Sequence, residues 1–275
     1  MDTFPSYLST KSSVGITPLS PSIPCMQGMK GENAMDYGTM LILSACAGFL
    51  GTGLGGLIAI LLPRLSSRAI SRILHFTGGL MISIVCFELL PEALLLDQLT
   101  AIITLLAGIL FMLVSDVVLT RYERKHGGNS LLLSGLLIGI GIALHNLPEG
   151  LAVGAGYADA PMFGLALCLA IVLHDVPEGL SMSLPLREGG MKLSRVLLAA
   201  LLSGFPTLLG ALIGMYAGGF GHQALAACLG LAGGAMLQIT CASLLPEAQK
   251  KSAGRIETLL LSLGIVSGCL LALWL

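Results

Sequence analysis

Eight long apolar runs follow one another along this chain and decide what it can fold into. Each has about the 20 residues that a helix needs to cross the roughly 30 Å core of a bilayer, and short connections join them. Only 11% of the residues are charged, whereas soluble domains carry roughly 25%. We therefore predict an all-α membrane protein with eight transmembrane helices, numbered spans one to eight: Thr39–Leu62, Ile73–Leu90, Leu99–Leu119, Leu131–Gly156, Met162–Pro185, Leu193–Ala217, Gln223–Leu245 and Thr258–Trp274.

The positive charges lie in alternate connections. Twelve of the 14 Lys and Arg residues are in the connections after spans one, three, five and seven, and the connections on the other side contain none. Because short loops rich in Lys and Arg stay in the cytoplasm, we predict that both termini lie outside the cell (plasma or inner) membrane. The formal net charge of −1 argues against a nucleic-acid partner. The apolar spans make the lipid bilayer the expected surrounding of the protein.

The N-terminal region and the cysteines carry little functional signal. Residues 1–37 are rich in Ser, Pro and Gly, and we expect a disordered tail before a transmembrane domain over residues 38–275. The seven cysteines form no CxxC pair, and six of them lie in apolar runs. They are interpreted as small apolar residues rather than as a disulfide or zinc framework.

An internal repeat connects the two ends of the domain. The segment GGLMISIVCFELLPEA (78–93) matches GGAMLQITCASLLPEA (233–248) at ten of 16 positions, with a constant offset of 155 residues. The first copy lies in span two and runs outward, whereas the second lies in span seven and runs inward. Related sequences in opposite orientations form an inverted repeat, which is typical of secondary transporters.

The same offset of 155 residues lays span one on span six and span three on span eight, so that two triplets of spans are repeated. A second pair of related motifs lies between these triplets. HNLPEG (145–150) in span four resembles HDVPEG (174–179) in span five, which runs in the opposite direction. The chain is therefore predicted to have a 3+2+3 arrangement, with two repeated triplets of spans on either side of a self-similar central pair.

These motifs concentrate polar side chains deep in the membrane. They begin roughly 18–21 Å into their spans, where an uncompensated charge costs at least about 2.5 kcal/mol. His145 and Glu149 are four residues apart on one helix face, as are His174 and Glu178. Asp175 adds a third carboxylate, and neither predicted span contains Lys or Arg. A bound divalent cation would neutralise most of this charge.

Imidazole and carboxylate ligands suit Zn²⁺, Fe²⁺, Mn²⁺ or Co²⁺, and the absence of Cys and Met from the motifs argues against Cu(I). One His–Glu pair alone would equally fit an interhelical hydrogen bond or a proton relay, but two copies favour metal. An intramembrane metal-dependent hydrolase is a second candidate, although the zinc-protease pattern HExxH is absent. A metal-gated channel is a third, and flux kinetics would distinguish it because carriers saturate.

The two motifs, within eight spans, closely resemble those of the ZIP (Zrt/Irt-like) divalent-metal transporters. The resemblance covers residues 38–275, and the short connection after span three is similar to that of the prokaryotic ZupT-type zinc importers. It implies Zn²⁺ import into the cytoplasm by alternating access, with motion of spans one, four, five and six. It also implies Fe²⁺, Mn²⁺, Co²⁺ or Cd²⁺ as further cargoes, no prosthetic group, no enzymatic activity and a possible homodimer.

The resemblance also implies the ligands of a two-metal transport site. They are His145, Asn146, Glu149, His174, Asp175 and Glu178, together with Glu88 of span two. One position departs from the family, because many members have SGxxEP in span six where this chain has Ser203-Gly-Phe-Pro-Thr207. Thr207 replaces the family's glutamate ligand, so we expect the second metal to bind weakly or not at all.

Overall fold

The structure, a computed structural model, describes residues 37–61, 66–126, 131–218 and 220–274. The predicted tail and Cys25 lie outside the described residues, except that the first helix begins at Tyr37. The six described cysteines are free thiols.

Eight helices are long and apolar enough to cross a membrane, and no strand occurs in the described ranges, which confirms the fold class. Spans two, three and seven continue six or seven residues beyond the predicted ends. The apolar run marks the part of a helix that lies in hydrocarbon, whereas the helix itself continues into the polar interface. Spans one to eight are Tyr37–Leu61, Ser67–Leu96, Gln98–His126, Leu131–Asp159, Pro161–Glu188, Leu193–Gly218, His222–Lys251 and Arg255–Trp274.

The repeated sequence produces the same irregularity in spans two and seven. Each contains one wide π-helical turn, Val85–Leu89 in span two and Thr240–Leu244 in span seven, which are 155 residues apart. The α-helical segments before and after the turn have 18 and seven residues in both spans. Pro91 and Pro246 are each the second residue after the wide turn. Because proline has no N–H to donate and its ring crowds the preceding turn, a wider turn relieves the helix at this point.

The helices pack in two sets. Spans one, four, five and six contact one another, and we call them the site group because they contain the two motifs. Spans two, three, seven and eight form the flanking group, in which span three packs on span seven and span eight on span two. The offset of 155 residues relates span two to span seven and span three to span eight, so these two helix pairs are equivalent. It also relates span one to span six.

Glycines hold each group together. A Cβ atom added to Gly55 would collide with the carbonyl oxygen of Val176, and one added to Gly79 would collide with that of Leu261. For several described glycines, an added Cβ atom would lie less than 3.0 Å from an atom of another span. In each case the two spans belong to the same group. Small residues at these positions let backbones approach closely, so each group is tightly packed internally.

The outside of the helices is apolar, as a lipid environment requires. Span three has the most exposed surface, with Leu99, Leu106 and Leu110 each more than half exposed. Such a surface could not remain in water, so the protein is an integral multi-pass membrane protein.

Candidate metal site

The polar motifs of spans four and five lie in the interior of the site group. Span four continues as a helix through Pro148, and span five through Pro177. The six motif residues predicted as ligands are all at most 3% exposed: His145, Asn146, Glu149, His174, Asp175 and Glu178.

The histidines and glutamates form pairs between the two helices. His145 Nε2 lies 2.7 Å from Glu178 Oε2, and His174 Nε2 lies 3.1 Å from Glu149 Oε1. Each histidine of one motif therefore meets the glutamate of the other. The spacing of four residues predicts the shared helix face, but not this exchange of partners.

Three residues bring possible ligand atoms closest together. One atom each from Glu149, His174 and Asp175 lie within 4.8 Å of one another, and all three residues are buried. Asp175 Oδ1 is 3.6 Å from His174 Nε2. This spacing lets one ion contact all three side chains after small adjustments.

Several oxygens of the cluster have no hydrogen-bond partner among the described residues. They are Glu149 Oε2, both carboxylate oxygens of Asp175, Asn146 Oδ1 and Thr207 Oγ1. A buried polar atom without a partner is costly. In addition, span four contains no Lys or Arg, and span five has only Arg187, near its end. The donor set and the uncompensated charge therefore fit a bound cation.

Span six contributes to the site through its backbone and through Thr207. Asn146 Nδ2 donates a hydrogen bond to the carbonyl oxygen of Ser203 at 2.9 Å. Thr207, one helical turn further along span six, is fully buried. The contact with Ser203 is backbone-mediated, so no side-chain pattern in the sequence could have predicted it.

Glu88 lies apart from the other predicted ligands. It is on the wide turn of span two, 9% exposed, with both carboxylate oxygens lacking a partner in the described part of the chain. It does not belong to the cluster around His174. Its neighbour Leu89, however, lines a small cavity beside Glu149 and His174, and the role of Glu88 as a ligand stays a prediction.

Access to the cluster differs between its two sides. A cavity of about 760 Å³ reaches His145 and Glu178 from the end of the bundle where Lys250 and Lys251 lie. On the other side, a small cavity of about 10 Å³ lies next to Glu149 and His174. Its lining includes five large apolar side chains: Ile84, Leu89, Leu167, Ile171 and Met236.

The large cavity also contains polar residues that the sequence did not single out as ligands. Asp116, Glu123 and Glu188 line it near the basic connections, and Gln238 and Ser243 line it from span seven. Their only signal in the sequence is a polar residue near the end of an apolar run, which is too common to indicate a site.

Comparisons with known proteins agree on one family. The sequence profile described as "ZIP Zinc transporter" matches residues 121–275. The chain is 32% identical to "Zinc transporter ZIPB" of Bordetella bronchiseptica, over 91% of this chain and 84% of that protein. It is 34% identical to "Zinc transporter GufA" of Myxococcus xanthus, over 86% of this chain and 97% of the relative. With "Zinc transporter ZupT" of Corynebacterium glutamicum it shares 32% identity, over 80% and 91% of the two chains.

Proposed function

The chain belongs to the ZIP zinc transporter family, and from this premise we propose that it carries Zn²⁺ into the cytoplasm through the buried cluster of spans four and five. Family members are transporters rather than enzymes, so the hydrolase alternative is excluded. The observation that carries the proposal is the crossed pair of His–Glu contacts with unpartnered carboxylate oxygens beside it.

The ligands follow from the atoms at the centre of the cluster. Glu149, His174 and Asp175 bind the ion, since their ligand atoms already lie within 4.8 Å of one another. His145 and Glu178 complete the set from the side of the large cavity, which reaches both of them. Zinc binds nitrogen and oxygen ligands of this kind, and the ligands must be deprotonated when it does.

The two cavities support alternating access. A large cavity reaches the cluster from the side of the basic connections, whereas the small cavity on the other side of the cluster is lined by apolar side chains. The closest glycine contacts join spans of the same group, so each group can move as one unit against the other. Such a motion would close the access from the basic connections and open access from the opposite side. Since basic connections face the cytoplasm, the open side is the inner side and both termini lie outside the plasma membrane.

Zinc uptake into proteoliposomes tests this function. We expect saturable uptake by the wild type and loss of uptake in Glu149→Gln and Glu178→Gln, because each substitution removes one ligand charge without changing the side-chain shape. Glu257→Gln is the matched control, since Glu257 is also buried but pairs with Arg72 at 3.5 Å, far along the chain from the motifs.

Three results would contradict the proposal. Uptake that persists in both motif variants removes the cluster from the transport path, and equal loss in Glu257→Gln means that the effect is one of folding. Uptake that rises linearly with zinc without saturating favours a metal-gated channel.

Competition by Fe²⁺, Mn²⁺, Co²⁺ and Cd²⁺ ranks the further cargoes, and the mass of the purified protein tests the predicted homodimer.

A further inference from the structure

A hydrogen bond joins the two helix groups at the large cavity. The hydroxyl of Ser134, in the first turn of span four, donates to the carboxylate of Glu123, near the end of span three. Span four belongs to the site group and span three to the flanking group, so we call this contact the cross-group bond. Both side chains are partly buried, and both line the cavity that reaches the metal cluster.

Other polar contacts near this end of the bundle connect spans of the same group. Arg187 of span five donates to the Ala59 carbonyl of span one at 2.6 Å. In the flanking group, Ser71 of span two donates to the Ala248 carbonyl of span seven at 2.9 Å. Contacts of this kind are kept when a group moves as one unit, whereas the cross-group bond is not.

The boundary between the groups at the small cavity is of a different kind. There Ile84, Leu89 and Met236 of the flanking group line the same space as Leu167 and Ile171 of the site group. Apolar contacts are non-directional, so such side chains can exchange neighbours as the groups slide. A hydrogen bond instead needs its heavy atoms within about 3.2 Å. The short serine side chain moves with the backbone of span four, so sliding of span four along span three separates the two atoms of the cross-group bond.

We propose that the bond between Ser134 and Glu123 is a latch that holds the carrier with its metal cluster accessible from the side of the basic connections. This inference rests on the proposed function, because it takes alternating access as its premise. The latch is formed in the conformation with the large cavity, and it breaks when the site group moves to give the opposite access. It therefore stabilises one conformation and not the other, and it shifts their populations accordingly.

Thiol labelling at position 89 tests the latch, because Leu89 lines the small cavity and is reached by water in the opposite conformation. Leu89→Cys is placed in a full-length chain without native cysteines, with and without Ser134→Ala, and a water-soluble reagent is added in detergent. We expect about three- to tenfold faster labelling with Ser134→Ala, the population change that corresponds to loss of one ordinary hydrogen bond. Leu244→Cys, in the large cavity, should keep its rate because the conformation that exposes it is already the major one.

Three further variants separate the bond from effects of shape or charge. Glu123→Gln weakens the acceptor and should also speed labelling, but it should add nothing to Ser134→Ala, in which the bond is already lost. Ser115→Ala is the matched control for the hydroxyl, since Ser115 lines the same cavity but donates to the Phe111 carbonyl of its own helix at 2.8 Å. Glu188→Gln is the control for the charge, since Glu188 lines the cavity from span five. Both controls should keep the labelling rate of the unmodified background.

The outcomes separate the latch from the proposed function. An unchanged rate at Leu89→Cys in the Ser134→Ala variant overturns the latch, and so does an equal increase in Ser115→Ala. Additive increases from Ser134→Ala and Glu123→Gln also overturn it, because the two residues then act separately. In each of these cases, saturable zinc uptake into proteoliposomes still supports the transporter. Absence of uptake by the wild type, together with equal labelling of Leu89→Cys and Leu244→Cys, overturns both.

Discussion

The two sides of the metal cluster, which the proposed orientation makes the inner and the outer side, are lined by related copies of one sequence, yet the cavities next to them differ in size. On the inner side, span seven contributes Ser243 and Leu244 to a cavity of about 760 Å³. On the outer side, the equivalent residues of span two are Glu88 and Leu89, and Leu89 lines a cavity of only about 10 Å³. Both pairs lie on the wide turn of their span.

The two sides therefore differ although the helices have the same backbone pattern, with one wide turn between α-helical segments of equal length. The backbone shape of these two helices alone does not decide which side the large cavity reaches. In a chain with an inverted repeat, the conformation with the opposite access exchanges the roles of the two halves. Span two would then line an outer cavity, with Glu88 in the position that Ser243 has on the inner side.

The largest expected effect is on the reactivity of two equivalent positions. In a background without native cysteines, Leu244→Cys should react with a water-soluble thiol reagent about 10- to 1,000-fold faster than Leu89→Cys. The reason is that, on the proposed mechanism of alternating access, Leu89 reaches water only in a minor conformation, and minor states are populated at about 0.1–10%. Labelling rates of the protein in detergent measure this ratio.

Equal labelling rates would mean that the outer side is as open as the inner side. The pair is matched, since both are leucines at the same position of the repeat and of the wide turn. Thiols that face lipid do not react, because the reaction needs the thiolate form and apolar surroundings raise the pKa of a thiol.

A smaller effect is expected for the carboxylate that distinguishes the two copies. Glu88→Gln should lower zinc uptake at low zinc concentration about tenfold, because it removes a charge that would contact the ion on its way to the cluster. This size corresponds to about 1.5 kcal/mol, the lower end of what a contact with a charged group contributes. Ser243→Ala, at the equivalent inner position, should change uptake little because serine carries no charge. Initial rates in proteoliposomes measure both. Unchanged uptake in Glu88→Gln would remove this residue from the predicted ligands.

The smallest effect concerns the connections that follow the repeated spans. Asp97, in the outer connection, accepts a hydrogen bond from the Thr100 N–H at 2.8 Å. Hydrogen bonds from Thr100 lower the pKa of Asp97 below its usual value. Ser252 occupies the equivalent inner position and cannot ionise in this way. The charged form of Asp97 therefore stabilises only the outer connection.

A lowered pKa stabilises the folded state above the unfolded value of about 3.9, and this contribution is lost as the pH falls through the lower folded value. Asp97→Asn should lower the Tm at neutral pH by no more than about 2 °C, with a difference that disappears in acid. Thermal unfolding in detergent measures it. A difference that stays constant with pH would show that Asp97 acts through its shape and not through its charge.

The sequence predicts the spans well because their signal is local. A run of about 20 apolar residues is sufficient to indicate a helix across the membrane, and the eight helices agree with that prediction. Their ends do not, since residues such as Lys250 and Lys251 continue the helix of span seven beyond the apolar run.

The site is only partly predictable, because spacing along one helix is a local signal whereas contacts between helices are not. The spacing of His145 and Glu149 indicates one helix face, and this part of the prediction needs no tertiary structure. That His145 meets Glu178, and that Asn146 bonds to the Ser203 backbone, depends on how helices cross, which no local pattern contains. The difference in size between the two cavities could not be predicted, because it depends on how the spans pack around each copy of the repeat, which no local pattern contains.

The wide turns in spans two and seven have a consequence for the ancestry of this chain. A π-helical turn holds one residue more than the α-helix around it, and here the extra residue occurs at equivalent places in both copies. Two independent insertions would have had to coincide in position and length, whereas one insertion before duplication explains both. The simplest account is therefore that the extra residue was present in one shorter segment before its duplication gave the two copies.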